Sequence, residues 1–144
     1  MAFKILHIDH IGIGVGDLAA VKDIFADKLG MYHQPEDEVV ESQKVKVSFF
    51  PCGDAELEFL ESTAPDGPIA KAIEKNGGKN LVQHIALRVD NIEAAIADLM
   101  EKGVEMLDKA PRYGAGGAKI AFLHPKSTGG ILIEICEHPD REKH

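Results

Sequence analysis

The sequence predicts an α+β chain built from two tandem βαβββ modules, and three observations predict it. A short text occurs twice: His10-Ile11-Gly12-Ile13-Gly14-Val15 returns 74 positions later as His84-Ile85-Ala86-Leu87-Arg88-Val89. Gly53 to Glu61 returns 76 positions later as Gly129 to Glu137, each copy carrying a Glu inside a strand-like run, Glu58 and then Glu134. In both copies a strand is followed by a capped amphipathic helix and then by three further strand candidates. A half of this composition leaves one sheet face uncovered. Pairing two halves covers it, which predicts curved mixed sheets around a central cleft.

Taken in order, residues 5–15 alternate and are β-branched enough for a strand. Asp17 is a good N-cap, and Leu18, Val21, Ile24, Phe25 and Leu29 share one helical face that Gly30 ends. Strand candidates follow at about 31–34, 44–51 and 55–61. The second copy has a strand at about 82–89 and Asn91 as cap. Ile92, Ala95, Ile96 and Leu99 form its buried face and Gly103 its stop, with strands at about 104–108, 118–124 and 131–137. Between the copies a third helix near 68–76 opens on Pro68 and ends at Gly77-Gly78. The expected plan is therefore a single domain over 1–144. Module one covers about 5–62, a linker helix region about 63–80, and module two about 81–137. Residues 138–144 read as a frayed polar end.

A net charge of −8, from 16 basic and 24 acidic residues, argues against nucleic acid or a membrane surface as a partner. Cys52 and Cys136 form no CxxC and no disulfide framework, and no signal peptide or membrane span is legible, so a cytoplasmic location is expected.

The recurring His and Glu carry the chemistry. His10 and His84 sit mid-strand among apolar neighbours, as do Glu58 and Glu134. An ionised carboxylate in such surroundings must face solvent or meet a cation. One such residue alone reads as an outward strand position, or, for the His, as a satisfied core group. Four ligand-type residues recurring at matched sites point to a metal centre instead. Two imidazoles and two carboxylates suit an octahedral shell with two open positions, which accepts Co²⁺, Mn²⁺, Ni²⁺ or Fe²⁺, with Zn²⁺ also possible.

Other motifs read as structural. Gly12 to Gly16 precedes a helix without dinucleotide-binding spacing, and Gly114 to Lys119 lacks the Lys-Ser/Thr of a phosphate loop. The glycines of the second run, Gly116 and Gly117 among them, suit a loop that approaches a substrate closely. His7, His33, His138 and His144 read as surface groups, and Glu61 and Glu137 as solvated strand ends on the face opposite the ligands. His124 and Lys126 lie in a connection at the expected cleft rim, where an acidic substrate would need a counter-charge.

These residues resemble the methylmalonyl-CoA epimerase family of the vicinal oxygen chelate (glyoxalase-fold) superfamily. The resemblance spans about 5–137. It rests on Asp9-His10-Ile11-Gly12-Ile13, Glu58-Phe59-Leu60-Glu61, Pro68-Ile69-Ala70-Lys71, Gln83-His84-Ile85-Ala86, Gly114-Ala115-Gly116-Gly117, Phe122 to Lys126 and Gly130 to Glu134. It implies a divalent metal, typically cobalt, one per chain, held by His10, Glu58, His84 and Glu134. It also implies a homodimer and interconversion of (R)- and (S)-methylmalonyl-CoA through a metal-stabilised enolate. By resemblance Glu134 is one proton carrier. Some bacterial members place a second catalytic Glu in the strand that here reads Lys44-Val45-Lys46-Val47-Ser48. The matching position is Val47, which cannot move a proton, so Glu41, Glu58 or a metal-bound water must substitute, Glu41 being favoured. Gly116, Gly117, His124 and Lys126 are the implied substrate contacts.

Two other functions fit the scaffold: a glyoxalase-I-type lactoylglutathione lyase with the same four ligand types, and a metal-free small-molecule binding protein. The Gly-rich loop and the His-Pro-Lys run favour the epimerase over the first. The full ligand set counts against the second.

Overall fold

A computed structural model describes residues 2–139. The strands are β1 (Ile5–Val15), β2 (Glu38–Val40), β3 (Val45–Cys52), β4 (Ala55–Ser62), β5 (Leu81–Val89), β6 (Arg112–Tyr113), β7 (Lys119–Phe122) and β8 (Ile133–Glu137). The α-helices are α1 (Leu18–Lys22), α2 (Pro68–Lys75) and α3 (Ile92–Glu101). The α+β class and the repeated β-α-β-β-β order are as the sequence implies. The strands form one mixed sheet in the order β2-β3-β4-β1-β5-β8-β7-β6. β1–β4 and β5–β8 pair in parallel; β2–β3, β3–β4, β6–β7 and β7–β8 pair antiparallel.

The chain divides into two compact units, His10–Gln83 and a second made of the chain up to Asp9 together with the chain from His84 onward. The sequence modules and these units differ at their edges. The start of β1 belongs with the second module, where the Asp90 amide donates to the Lys4 carbonyl at 3.2 Å and the Lys4 amide to Asp90 Oδ1 at 2.8 Å. α2 belongs with the first.

In the His10–Gln83 unit, Val15, Leu18, Val21, Phe50 and Phe59 form the core, with Ile13, Phe25 and Leu57 packed on it. Phe50 and Phe59 meet edge-on at 5.1 Å, and Phe25 lies 4.8 Å from Phe59. After Lys22 the helix widens into a π-helical stretch, Asp23–Lys28, with the Leu29 amide donating to the Ile24 carbonyl. In the other unit Phe3, Val89, Ile92, Ala95, Ile96, Met106, Ala121, Leu123 and Ile135 pack together.

Two expected strands are corrected. Residues 31–34 are not a strand; the first module's short strand is β2. The 3₁₀ turn Glu41–Gln43, closed by Lys44 in the left-handed region (φ 54°), returns the chain so tightly that only Glu38–Val40 can lie against Val45–Val47. Of 104–108 only Met106 makes a bridge, to Leu123. There the Phe122 carbonyl accepts the Leu107 amide at 2.9 Å, while the Phe122 amide donates to the Asp108 side chain, Oδ2, at 2.8 Å, so the backbone ladder does not continue. The edge strand comes later, as Arg112–Tyr113. No helix among the described residues is long and apolar enough to cross a membrane.

Candidate active site

Register fixes which side chains share a face, because strand side chains alternate. In the His10–Gln83 unit, Gly12 is level with Glu58, and Phe49 with Glu58 on the other side. His10, Gly12, Glu58, Phe49 and Val47 therefore line one face. Ile13, Val15, Phe50 and Phe59 line the other, beneath α1. Gly12 contributes no side chain at Glu58's level. His10 Nδ1 lies 3.3 Å from Glu58 Oε2, with both side chains under a tenth exposed.

The second unit repeats the device. Ala86 is level with Glu134, which on its other side is level with Phe122. His84 Nε2 lies 3.2 Å from Glu134 Oε1, and these two are buried as well. The Phe122 ring packs edge-on against His84 at 5.4 Å. Each predicted His thus stands beside the predicted Glu of its own unit. A buried carboxylate whose close neighbour is an imidazole is costly in water's absence unless a cation completes it.

Cys136 shares the face of Glu134 and is fully buried; burial, with the Asp9 charge adding to it, pushes its thiol up. The sequence reading missed a buried ion pair nearby. Arg88 approaches Asp9 Oδ1 at 2.8 Å through both Nε and Nη2. His138, expected at the surface, is half-buried and stands with Nε2 2.9 Å from the same oxygen. His33 is half-buried against the Phe50 ring. His144 lies outside the described residues.

Glu61 and Glu137 also depart from expectation. They do lie on the face opposite the ligands, but they are half-buried. Glu61 Oε2 accepts the Leu18 amide at 2.9 Å, and Glu137 Oε1 accepts the Ile92 amide at 2.8 Å. Strand alternation predicts the face; it does not show that a helix start waits there.

Glu41 begins the exposed 3₁₀ turn after β2. Val47 is buried opposite Leu60 on the Glu58 face, an aliphatic group in a row of ligand-side residues. Glu38 pairs with Val47 across β2–β3 and so falls on that face too, half-buried. Its place in the acidic run Glu36-Asp37-Glu38 gives no local sign of this. Asp37 is not free either: Lys22 Nζ holds it at 2.7 Å.

Gly116 and Gly117 adopt φ 70° and 74° in the loop before β7, and a Cβ on either would meet nothing within 4 Å. His124 Nδ1 accepts the Lys126 amide at 3.1 Å, and Lys126 Nζ is 2.9 Å from Glu105. That ammonium holds the Glu105 carboxyl below the usual range. Arg112, which the sequence reading passed over, lies level with Ile120 on the Phe122 face, its guanidinium carbon 5.7 Å from the Phe122 ring.

Comparison with known proteins gives one pattern. Residues 9–122 match the family model of the glyoxalase/bleomycin resistance protein/dioxygenase superfamily. An uncharacterized protein of Bacillus subtilis, YqjC, is 37% identical over 95% of both chains. An ethylmalonyl-CoA/methylmalonyl-CoA epimerase of Cereibacter sphaeroides is 35% identical over 89% of this chain and 95% of its own. A Streptomyces coelicolor methylmalonyl-CoA epimerase, solved with 2-nitronate-propionyl-CoA, superposes with a TM-score of 0.87 at 34% identity, covering 95% of this chain and 97% of that one.

Proposed function

Because the chain belongs to the glyoxalase/bleomycin resistance protein/dioxygenase superfamily, and within it to the methylmalonyl-CoA epimerase family, we propose that it interconverts (R)- and (S)-methylmalonyl-CoA by removing and returning one proton. The observation that carries this reading is the duplicated buried His–Glu pair, one in each unit, on the face opposite α1 in the first and opposite α3 in the second. His10, Glu58, His84 and Glu134 would together hold one divalent ion. Co²⁺ is preferred, and Mn²⁺, Ni²⁺ and Zn²⁺ are accommodated by the same donors. The donor chemistry fits: two imidazoles and two carboxylates, all four side chains buried, are the donor types such an ion takes. Bound there, the ion would act as a Lewis acid toward the thioester oxygen as negative charge develops.

Epimerisation needs a base on one side of the reacting carbon and an acid on the other. Glu134 is the first of these in our reading. Glu41 is the second. The Streptomyces coelicolor epimerase has been solved with substitutions at a glutamate and at a glutamine seventeen positions apart. Glu41 and Glu58 here are also seventeen apart. That spacing supports Glu41, rather than Val47, as the counterpart of the varied glutamate. Glu38, on the Glu58 face, is the reserve candidate. Gly116, Gly117, His124 and Lys126 are retained as contacts for an acyl-CoA, and the working form is read as a cytoplasmic homodimer.

The test is solvent deuterium incorporation into methylmalonyl-CoA by the cobalt-loaded protein. Wild type should exchange the α-proton. Glu134→Ala should abolish exchange, and Glu41→Gln should slow it by about 10²-fold or more, the usual size of an acid–base contribution, with Glu38→Gln near wild type. Full exchange in Glu41→Gln removes that assignment. Turnover of a glutathione hemithioacetal with no exchange would replace the epimerase by a lyase. Metal analysis should find one ion per chain, lost on substitution of either histidine; two ions per chain would divide the quartet into separate sites. Relative kcat/KM for ethylmalonyl-CoA is expected within about 10–200-fold of methylmalonyl-CoA, since the two differ by one methylene.

A further inference from the structure

The chain carries a net charge of −8, and several cations of the unit that holds the second His–Glu pair are engaged by carboxylates. Arg88 is buried on Asp9, Lys126 is 2.9 Å from Glu105, and Lys119 is 3.2 Å from Glu93. Arg112 differs. It lies level with Ile120, and Ile120 with Cys136, while Phe122 is level with Glu134, so Arg112 shares a sheet face with Glu134 and His84. Its guanidinium lies by the Phe122 ring, whose edge in turn meets His84. Asp108 fixes it there. One carboxylate oxygen is tied to the Phe122 backbone amide at 2.8 Å and the other accepts Arg112 Nε at 3.0 Å. The carboxylate offsets part of the charge but takes only Nε, so the two-nitrogen fork at the far end of the guanidinium is left to bind. The side chain is 44% exposed and therefore reachable. The open glycine loop begins two residues on. A planar fork held by its stem and an aromatic face is suited to an oxyanion.

We propose that Arg112 is an anion-binding residue of the substrate site, receiving an oxyanion of the acyl-CoA. Phosphate groups of the coenzyme and the malonyl carboxylate share that chemistry. The proposal rests on the acyl-CoA reading above.

Arg112→Ala and Arg112→Lys are compared with wild type in three measurements: steady-state kinetics on methylmalonyl-CoA, the same on methylmalonyl-pantetheine, and calorimetric binding of propionyl-CoA. Arg112→Ala should raise KM for methylmalonyl-CoA about tenfold or more, the size of a lost hydrogen bond to a charged group. Its kcat should stay within about twofold of wild type, since the residue binds rather than reacts. Lys should restore part of the loss, because it keeps the charge and not the fork. If the coenzyme phosphates are the partner, propionyl-CoA binding weakens in parallel and the pantetheine substrate shows no effect. If the malonyl carboxylate is the partner, the pantetheine substrate shows the full effect and propionyl-CoA none. Either result supports the assignment. Unchanged KM and unchanged propionyl-CoA affinity would overturn it, as would a fall in kcat with lowered thermal stability and equal loss on every ligand. A wild type that turns over no methylmalonyl-CoA would sink the epimerase reading instead, and the Arg112 assignment would then stand or fall on propionyl-CoA and free coenzyme A binding.

Discussion

At the scale of single residues, burial sorts the two cysteines. Cys136 is fully enclosed with its thiol pushed up, whereas Cys52 ends β3 in the open. Native protein should therefore react with Ellman's reagent at one thiol per chain, and guanidinium-unfolded protein at two. Two rapid equivalents from native protein would contradict the packing of β8. The four ligand candidates were legible because each recurs; repetition distinguishes them from His33 or Glu41, which have no counterpart of ligand type. Asp9 and Arg88 were not legible. Each looks like an ordinary surface charge until the start of β1 is laid beside the second module, and only then do they meet at 2.8 Å. Arg112 was hidden for a similar reason, since its neighbours on the face come from β7 and β8, and no local pattern marks a two-residue strand.

At the scale of elements, the two helices that follow β1 and β5 each begin with two side-chain acceptors. Asp17 accepts the Ala20 amide and Asn91 the Ala94 amide, which is the ordinary N-cap bond. Glu61 and Glu137 add a carboxylate on the first amide of each helix, Leu18 and Ile92, where the positive end of the helix favours negative charge. Glu137→Ala and Glu61→Ala should each lower stability by about 1 kcal/mol in urea unfolding, with Glu74→Ala, an exposed position on α2, as the unchanged control. Equal curves for all three would mean the second acceptor adds nothing. Caps and stops were readable from Asp17, Asn91, Gly30 and Gly103 because those signals are local. The place of β2 was not. Met31-Tyr32-His33 looks more strand-like than Glu36-Asp37-Glu38, and the outcome depends on the Lys44 turn and on Lys22 reaching Asp37. The π-helical stretch is equally a product of packing, as Phe25 seats against Phe50 and Phe59.

At the scale of the whole molecule, a bound ion should report on the fold. A ligand at about 100 times its dissociation constant stabilises the native state by about 2.7 kcal/mol. For a chain of this size that raises the melting temperature by about 5–10 °C. Protein stripped with chelator should melt lower, and Co²⁺ should restore it. Glu134→Ala should melt at one temperature with or without Co²⁺. A wild type indifferent to chelator and cobalt would remove the metal from the account. The two-module plan was legible because duplication writes the same spacing twice. The exchange at β1 was not, because a continuous strand shows no mark at the residue where its neighbours change.

That exchange also bears on the order in which the chain can take shape. Lys4 is synthesised long before Asp90, the residue whose backbone and side chain it pairs with in the folded unit. The opening segment must wait for them. A gene cut between the modules would therefore strand it, and the earlier fragment would carry an unpaired strand edge open to association with other chains.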